Sequence, residues 1–158
     1  VTAEPALWLE IRTADCVPVL LADTRRHVVA AVHAGWRGTA ARIAAQTVAV
    51  MEREWGCRAA DIVAAIGPCI APCCFEVGEE VAAHFPGHIT QREPRHRVNL
   101  PGANLDQLRE CGVPERNIEV LEQCTVCDPK RFHSFRRDKG TGRMVAAIAI
   151  LAESDSKD

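Results

Sequence analysis

Short apolar segments rich in β-branched residues alternate with helical segments along most of the chain, and this alternation restricts the fold more than any other feature. Three of the apolar segments follow one another closely before the first helix, which excludes a purely parallel sheet because parallel strands need long crossover connections. The fold class predicted is therefore α/β, a layered domain with a mixed β-sheet flanked by helices. We expect strands at residues 7–11, 17–21, 28–32, 62–66, 118–121 and 144–151. We expect helices at 39–55, 79–85 and 102–110, the first ended by Gly56, and an exposed polar connection at 86–98.

The length of the chain predicts a single domain. Its 158 residues, 47% of them hydrophobic, suit one sizeable core. We assign residues 1–152 to this domain and the charged residues 153–158 to a flexible tail. The first residues run from a turn directly into a half-buried strand, without the polar lead-in that is common at the start of a domain. We therefore expect that an upstream N-terminal segment is missing from this sequence.

The charge balance and the hydropathy pattern disfavour several classes of partner. With 19 basic against 21 acidic residues the formal net charge is -2, which gives no field that favours a nucleic-acid backbone. No window reaches the roughly 20 consecutive apolar residues that a membrane span needs. The eight cysteines accompany an aliphatic core and no export signal, which predicts reduced thiols in a cytoplasmic protein. We expect small-molecule partners, no nucleic acid and no membrane.

Cys16 and His33 are the first candidates for chemistry, because each lies beside small residues where a predicted strand begins or ends. They would either converge on one metal ion or act as a thiolate and its base. Asp15 would then orient His33, or carry protons beside a metal. The structural alternative is an inert buried thiol and a core histidine, which are common fates of these residue types.

Arg37 lies in the loop that follows the His33 strand. Gly35 and Gly38 let the backbone come close to a ligand there, and in an α/β sheet the crevice beyond a strand's carboxyl end is the usual ligand site. An arginine near a helix start holds an anion by bidentate hydrogen bonds, so phosphate is the expected ligand. The alternative is a surface arginine that caps a turn.

Two further segments carry reactive or charged groups. Cys124 and Cys127 form a CxxC pair, but a structural zinc site needs a second pair at matched spacing, and the adjacent Cys73 and Cys74 look too close in sequence to supply it. We therefore expect packing beside a strand end for the CxxC pair. The two arginines at 136–137 follow two aromatic residues and would line a pocket, unless the segment is a solvated hairpin.

Several motifs along the chain resemble a known family. They read TADCVP at 13–18, VHAGWRG at 32–38, IGPCI at 66–70, CCFEVG at 73–78, CT at 124–125 and FRRD at 135–138. In this order, and over almost the whole chain, they are similar to the zinc-dependent purine nucleoside phosphorylase and adenosine deaminase family, long described as laccase-like multicopper polyphenol oxidases. The first two motifs together are highly specific.

The resemblance implies roles for individual residues. Cys16 and His33 match two of the family's three zinc ligands, and Arg37 matches the arginine of its phosphate- or substrate-holding loop. The third ligand is a histidine in an upstream segment that would lie before Val1, so zinc would take a third protein ligand from outside this chain. His133 departs from the family, which more often has an aromatic residue there.

The resemblance also implies two reactions of purine nucleosides. One is phosphorolysis of adenosine, inosine, guanosine or methylthioadenosine, with Arg37 and Arg136 or Arg137 positioning phosphate. The other is deamination of adenosine to inosine, with Asp15 moving protons. Three alternatives remain: a metal-free cysteine hydrolase or amidase that uses Cys16 and His33, an inactive fragment, and a laccase. We discount the laccase, because copper sites of that kind take about ten histidines in His-x-His pairs, whereas the six histidines here are scattered.

Overall fold

The computed structural model describes residues 1–92 and 95–151. The tail predicted at 153–158 lies outside the described residues. Within them no helix is both long and apolar enough to cross a membrane. The strands are β1 (Leu9–Thr13), β2 (Val17–Asp23), β3 (Val28–Ala34), β4 (Ile62–Ile66), β5 (Glu76–Val77), β6 (Ile89–Gln91), β7 (His96–Val98), β8 (Ile118–Val120) and β9 (Met144–Ile148). The helices are α1 (Trp36–Ala40), α2 (Ile43–Trp55), α3 (Glu79–Ala82), α4 (Leu100–Glu110) and α5 (Phe135–Asp138).

The central sheet is mixed, which confirms the predicted fold class. Its strand order is β3-β2-β4-β8. β2 pairs antiparallel with both β3 and β4, whereas β4 and β8 are parallel. Alternate residues of β2, Val17, Val19 and Leu21, are fully buried and form part of the main core. This period of two, in an apolar segment that includes Val17 and Val19, favours a strand here.

Two smaller sheets complete the domain. β1 and β9 pair antiparallel, so the two ends of the described chain lie together. β5, β7 and β6 form a three-stranded sheet. The expectation of an exposed polar connection over 86–98 is therefore wrong, because β6 and β7 pair within it and Val98 is buried in the core. Arg97 lies in β7, where its guanidinium forms an ion pair with Glu76 at 3.0 Å.

The helix predicted at 39–55 is two helices. α1 begins three residues earlier than expected, at Trp36, and α2 starts at Ile43 after Arg42, whose φ of 60° is left-handed and cannot continue a helix. α2 buries Ala44, Val48 and Met51, which are spaced four and three residues apart along one face. It ends at Gly56 in the left-handed conformation, as predicted.

The remaining boundaries moved by a few residues. α3 stops at Ala82, and β9 stops at Ile148. α4 starts two residues earlier than expected because the Asn99 side chain accepts a hydrogen bond from the Gly102 amide and Pro101 occupies the first turn.

Candidate active site

Cys16 immediately precedes β2, and His33 is the second-last residue of β3, the neighbouring antiparallel strand. In the β2–β3 ladder Val17 pairs with Ala34 and Pro18 pairs with His33, so Cys16 comes opposite Gly35 one step beyond. Residues that pair directly share a face, and side chains alternate along each strand. Cys16 and Gly35 lie just outside the ladder, and continuing its pairing by one step would make Cys16 a diagonal neighbour of His33.

The surroundings of the two side chains differ. Cys16 is half-buried, and burial raises the pKa of its thiol, with the negative charge of Asp15 acting in the same direction and Arg143 opposing both. The His33 residue is exposed, and its side chain makes no hydrogen bond to another of the described residues. Gly35 leaves room beside the sulfur, because a Cβ built there would lie 3.1 Å from Cys16 Sγ.

Asp15 accepts hydrogen bonds from three segments that are distant from it in sequence. It is only 8% exposed and has a φ of 88°. The Thr125 hydroxyl donates to Oδ1 at 2.6 Å, and the Arg136 backbone N–H donates to Oδ2 at 2.6 Å. The Ile70 backbone N–H donates to the Asp15 carbonyl at 2.9 Å. These bonds hold a backbone conformation that a non-glycine residue rarely adopts, and they fix Asp15 immediately before Cys16.

The guanidinium groups of Arg37 and Arg136 each lie over an aromatic ring. Arg37 is exposed, and its guanidinium carbon lies 4.4 Å from the centroid of Trp36. The Arg136 guanidinium donates from Nη1 to the Glu76 carbonyl at 2.9 Å and lies 5.6 Å from the Phe75 ring. Stacking of this kind orients a guanidinium and leaves its edge free for an anion.

Arg137 is engaged differently. Its Nη1 donates to the carbonyls of Thr125 and Val126, at 2.8 and 3.0 Å, and its Nη2 donates to the Phe132 carbonyl at 2.9 Å. Nε and Nη2 also donate to the two oxygens of Asp138. These bonds tie the segment before α5 into a compact turn, and α5 itself replaces the solvated hairpin that was the alternative expectation.

A cleft of about 280 Å³ opens on the Pro18 side of the sheet, the face that also carries His33. Its volume is at the lower limit of the roughly 300–1,000 Å³ that is usual for small-molecule sites. It is lined by Thr13, Pro18, Pro68, Arg131, Phe132, Met144, Val145 and Ala146. A larger cleft, about 330 Å³, lies between the start of α4 and the loop after β8. Neither cleft is lined by Cys16, His33, Asp15 or Arg37.

Four cysteines form a second constellation, which we call the thiol cluster: Cys73, Cys74, Cys124 and Cys127. Their sulfur atoms all lie within 4.8 Å of one another. The expectation that the CxxC pair lacks a matched second pair is therefore wrong. A turn after Ala71, whose carbonyl accepts from the amides of Cys74 and Phe75, brings the two adjacent thiols to the same side with their sulfurs 3.7 Å apart.

Strand order explains why the sequence did not reveal this cluster. β4 and β8 are parallel neighbours, so the loops after them leave the same edge of the sheet, although one cysteine pair lies 50 residues or more from the other. The signal that could have found the cluster is a cysteine pair shortly after each of two apolar strands.

The thiol of Cys124 differs from an ordinary cysteine in its acidity. Burial acts to raise the pKa of Cys124, but hydrogen bonds led by the Ala71 amide outweigh it and lower the pKa to about 7.

Comparison with known proteins places the chain in a family. Residues 1–151 match the family model described as multi-copper polyphenol oxidoreductase laccase. The chain therefore belongs to this family, as the sequence motifs indicated.

Similar proteins carry more specific names. A purine nucleoside phosphorylase of Bacteroides thetaiotaomicron is 41% identical over 160 aligned positions, which are 95% of this chain and 59% of the relative. Adenosine deaminase RL5, from an unknown prokaryotic organism, is 41% identical over 87% of this chain and 55% of its own length. The chain thus spans less than two thirds of the curated relatives it matches.

Solved structures share the fold. YlmD from Geobacillus stearothermophilus superposes with a TM-score of 0.87 at 36% identity, covering 95% of this chain and 59% of that one. The hypothetical protein YfiH of Bacillus licheniformis gives a TM-score of 0.88 at 39% identity, over 94% and 59% of the two chains.

Proposed function

We propose that this chain carries catalytic residues of a cytoplasmic, zinc-dependent enzyme that acts on purine nucleosides, by phosphorolysis and by deamination of adenosine. The observation that supports the proposal is the antiparallel pairing of β2 with β3, in which His33 lies opposite Pro18, two residues after Cys16 and three after the buried Asp15. Relatives named purine nucleoside phosphorylase and adenosine deaminase support the substrate class. The free state of all eight cysteines supports a reducing compartment.

Cys16 and His33 are the proposed zinc ligands of this site. A thiolate sulfur and an imidazole nitrogen are donors that zinc takes, and the space left by Gly35 keeps the sulfur accessible. A catalytic zinc keeps three protein ligands and one open position, so the site needs a third ligand. We propose that this ligand is a histidine from outside the present sequence.

In deamination, water adds to C6 of the adenine ring and ammonia leaves, which requires protons to move from the water to the departing nitrogen. Zinc, when bound, lowers the pKa of a water enough for attack at neutral pH. Asp15 is the proposed proton carrier, and the bonds from Thr125 and Arg136 keep its carboxylate in place for this task.

In phosphorolysis, a phosphate oxygen attacks the anomeric carbon of the ribose and the purine leaves. We propose that Arg37 and Arg136 bind this phosphate, since each presents a guanidinium stacked on an aromatic ring. Arg137 was the third candidate for this role. Its bonds to three carbonyls and to Asp138 favour a different one, in which it holds the turn that delivers Arg136.

The metal-free cysteine hydrolase is the rival function. A cysteine nucleophile must be a thiolate, and its pKa is normally lowered in a catalytic site. The pKa of Cys16 is instead raised by burial and by Asp15. The surroundings of Cys16 therefore favour a metal, which would deprotonate the thiol on binding.

An activity assay with and without zinc tests the proposal. We would measure turnover of adenosine and inosine, with and without phosphate, in the full-length protein and in its Cys16→Ala and His33→Ala variants. Both variants should lose activity while remaining folded, and His27→Asn, an exposed histidine in the β2–β3 turn, should keep it. Unchanged turnover in Cys16→Ala would refute the assignment, and turnover in zinc-free protein that alkylation of Cys16 abolishes would establish the rival.

The role of Arg37 has its own test. Arg37→Ala should raise the KM for phosphate in phosphorolysis more than it slows deamination, which uses no phosphate. Equal losses in both reactions would show that Arg37 holds the nucleoside or the loop instead.

A further inference from the structure

The sulfur atoms of the thiol cluster lie close enough together to bind one metal ion. Cys74 and Cys127 have sulfurs 3.4 Å apart, Cys73 and Cys127 3.8 Å, and Cys73 and Cys74 3.7 Å. A zinc ion bound to four thiolates at about 2.3 Å places its ligands about 3.8 Å apart along each tetrahedral edge. Cys73, Cys74 and Cys127 thus already have separations close to those that the ion requires, and the Cys124 sulfur lies within 4.8 Å of each of them.

The chemistry of the four groups favours an ion that takes sulfur ligands, of which zinc is the one with no redox chemistry. Four soft sulfur donors disfavour magnesium, calcium and manganese, which prefer oxygen. A site with four protein ligands leaves no open position, which is typical of a structural metal rather than a catalytic one. All four cysteines are free thiols, so none is already consumed in a disulfide.

The cluster joins two loops that are separated in sequence. The first loop follows β4, and its backbone meets the second, which follows β8, where the Cys69 carbonyl accepts from the Thr125 amide at 3.0 Å. The Ala71 amide also donates to the Cys124 sulfur at 3.5 Å. An N–H aimed at a ligand sulfur supports a thiolate at that position.

The same two loops hold Asp15. The Ile70 amide, three residues before Cys73, donates to its carbonyl, and the Thr125 hydroxyl, between the two cysteines of the CxxC pair, donates to its carboxylate. Whatever fixes the two loops to each other therefore fixes Asp15 between them. Its left-handed backbone conformation makes it dependent on such support.

We propose that the thiol cluster binds one zinc ion through four thiolates, and that this ion is a structural clip which holds the two loops on either side of Asp15. The proposal does not depend on the proposed function, because it uses none of Cys16, His33 or the substrate. On binding, the four thiols release their protons to solvent and no redox change occurs.

The test must separate this ion from zinc at Cys16 and His33. We would measure zinc per chain by mass spectrometry and its ligands by X-ray absorption in the Cys16→Ala/His33→Ala double variant of the full-length protein. We expect about one zinc per chain, surrounded by four sulfurs at about 2.3 Å. Folded protein of this variant without zinc would overturn the proposal, whatever the outcome for catalysis.

A second variant tests the ligands themselves. Cys73 and Cys127 are exposed, so Cys73→Ser/Cys127→Ser removes two ligands with little loss of packing. This variant should lose the four-sulfur zinc, and its Tm should fall by about 10 °C when zinc is in excess for the parent protein. Cys111→Ser is the matched control, because Cys111 is a half-buried free thiol outside the cluster, and it should keep the zinc.

Amide hydrogen exchange shows whether the ion supports Asp15. In the Cys73→Ser/Cys127→Ser variant, the amides of Ile70 and Arg136, which donate to Asp15, should exchange faster, while amides in α2 should not. Zinc content and Tm equal to those of the parent would overturn the proposal, as would a Cys74–Cys127 disulfide in protein purified without oxidant. Zinc loss without faster exchange at Ile70 and Arg136 would overturn the structural role.

Discussion

The hydrogen bond between Thr125 and Asp15 should contribute measurably to stability. Thr125 is fully buried and its hydroxyl donates to a carboxylate that is only 8% exposed, so water cannot replace the bond when it is removed. A hydrogen bond to a charged group is worth about 1.5–3 kcal/mol. We expect Thr125→Val, which keeps the shape and removes the donor, to lower the free energy of unfolding by this amount.

The predicted loss converts to a temperature shift. For a domain of this size, 1 kcal/mol corresponds to about 2–4 °C, so the Tm of Thr125→Val should fall by roughly 3–12 °C. Urea unfolding followed by circular dichroism, with the slope m checked for constancy, would give the free energy directly.

Two controls isolate the charged bond. Thr125→Ser keeps the hydroxyl and loses one methyl group, at a cost of about 1 kcal/mol. Thr47→Val removes a half-buried hydroxyl that donates to a neutral carbonyl in its own helix, and it should change stability by less than about 1 kcal/mol. If Thr125→Val is no less stable than Thr125→Ser, the bond to Asp15 carries no net stability and the reasoning is refuted.

Three further changes test other parts of the structure. Gly35→Ala should weaken zinc binding at Cys16 by about 10–100-fold, because the added Cβ would lie 3.1 Å from the Cys16 sulfur. Stability should change little, because the extended backbone at position 35 accepts alanine. Unchanged zinc affinity in a titration would contradict this prediction. Lys139→Gly should raise the free energy of unfolding by about 1 kcal/mol, because Lys139 caps α5 with a left-handed φ of 53°, and a loss of stability in urea would disprove it. Burial, with help from Asp23, raises the pKa of Cys57 from 9.0 to about 11, so the folded state binds its proton more tightly and stability should fall as pH rises from 9 to 11. Cys57→Ala should lessen that fall, and identical pH profiles of parent and variant would refute the assignment.

The central strands β2 and β3 were predictable from sequence because their causes are local. Short apolar segments at 17–21 and 28–32, each with valines, define the strands, and the short connection between them requires an antiparallel hairpin. That hairpin fixes the register, and the register fixes which side chains share a face.

The break between α1 and α2 and the thiol cluster were not predictable, for different reasons. Arg42 adopts a left-handed conformation without being glycine or asparagine, so nothing in its residue type marks the break. The cluster depends on β8 lying parallel beside β4, and a pairing between strands so distant in sequence leaves no local pattern. The hydrogen bonds from Thr125 and Arg136 to Asp15 also join segments distant in sequence, so no local pattern predicts them.

The bond between Asp15 and Thr125 spans 110 positions of the chain. During synthesis on the ribosome, the hairpin of β2 and β3 is complete long before the segment that satisfies Asp15 has left the exit tunnel. Closing so long a loop is also slow, because its entropy is lost before the contact rewards it. The Asp15 carboxylate should consequently be held in place only at a late stage of folding, after the segment that carries Thr125 and Arg136 has been synthesised.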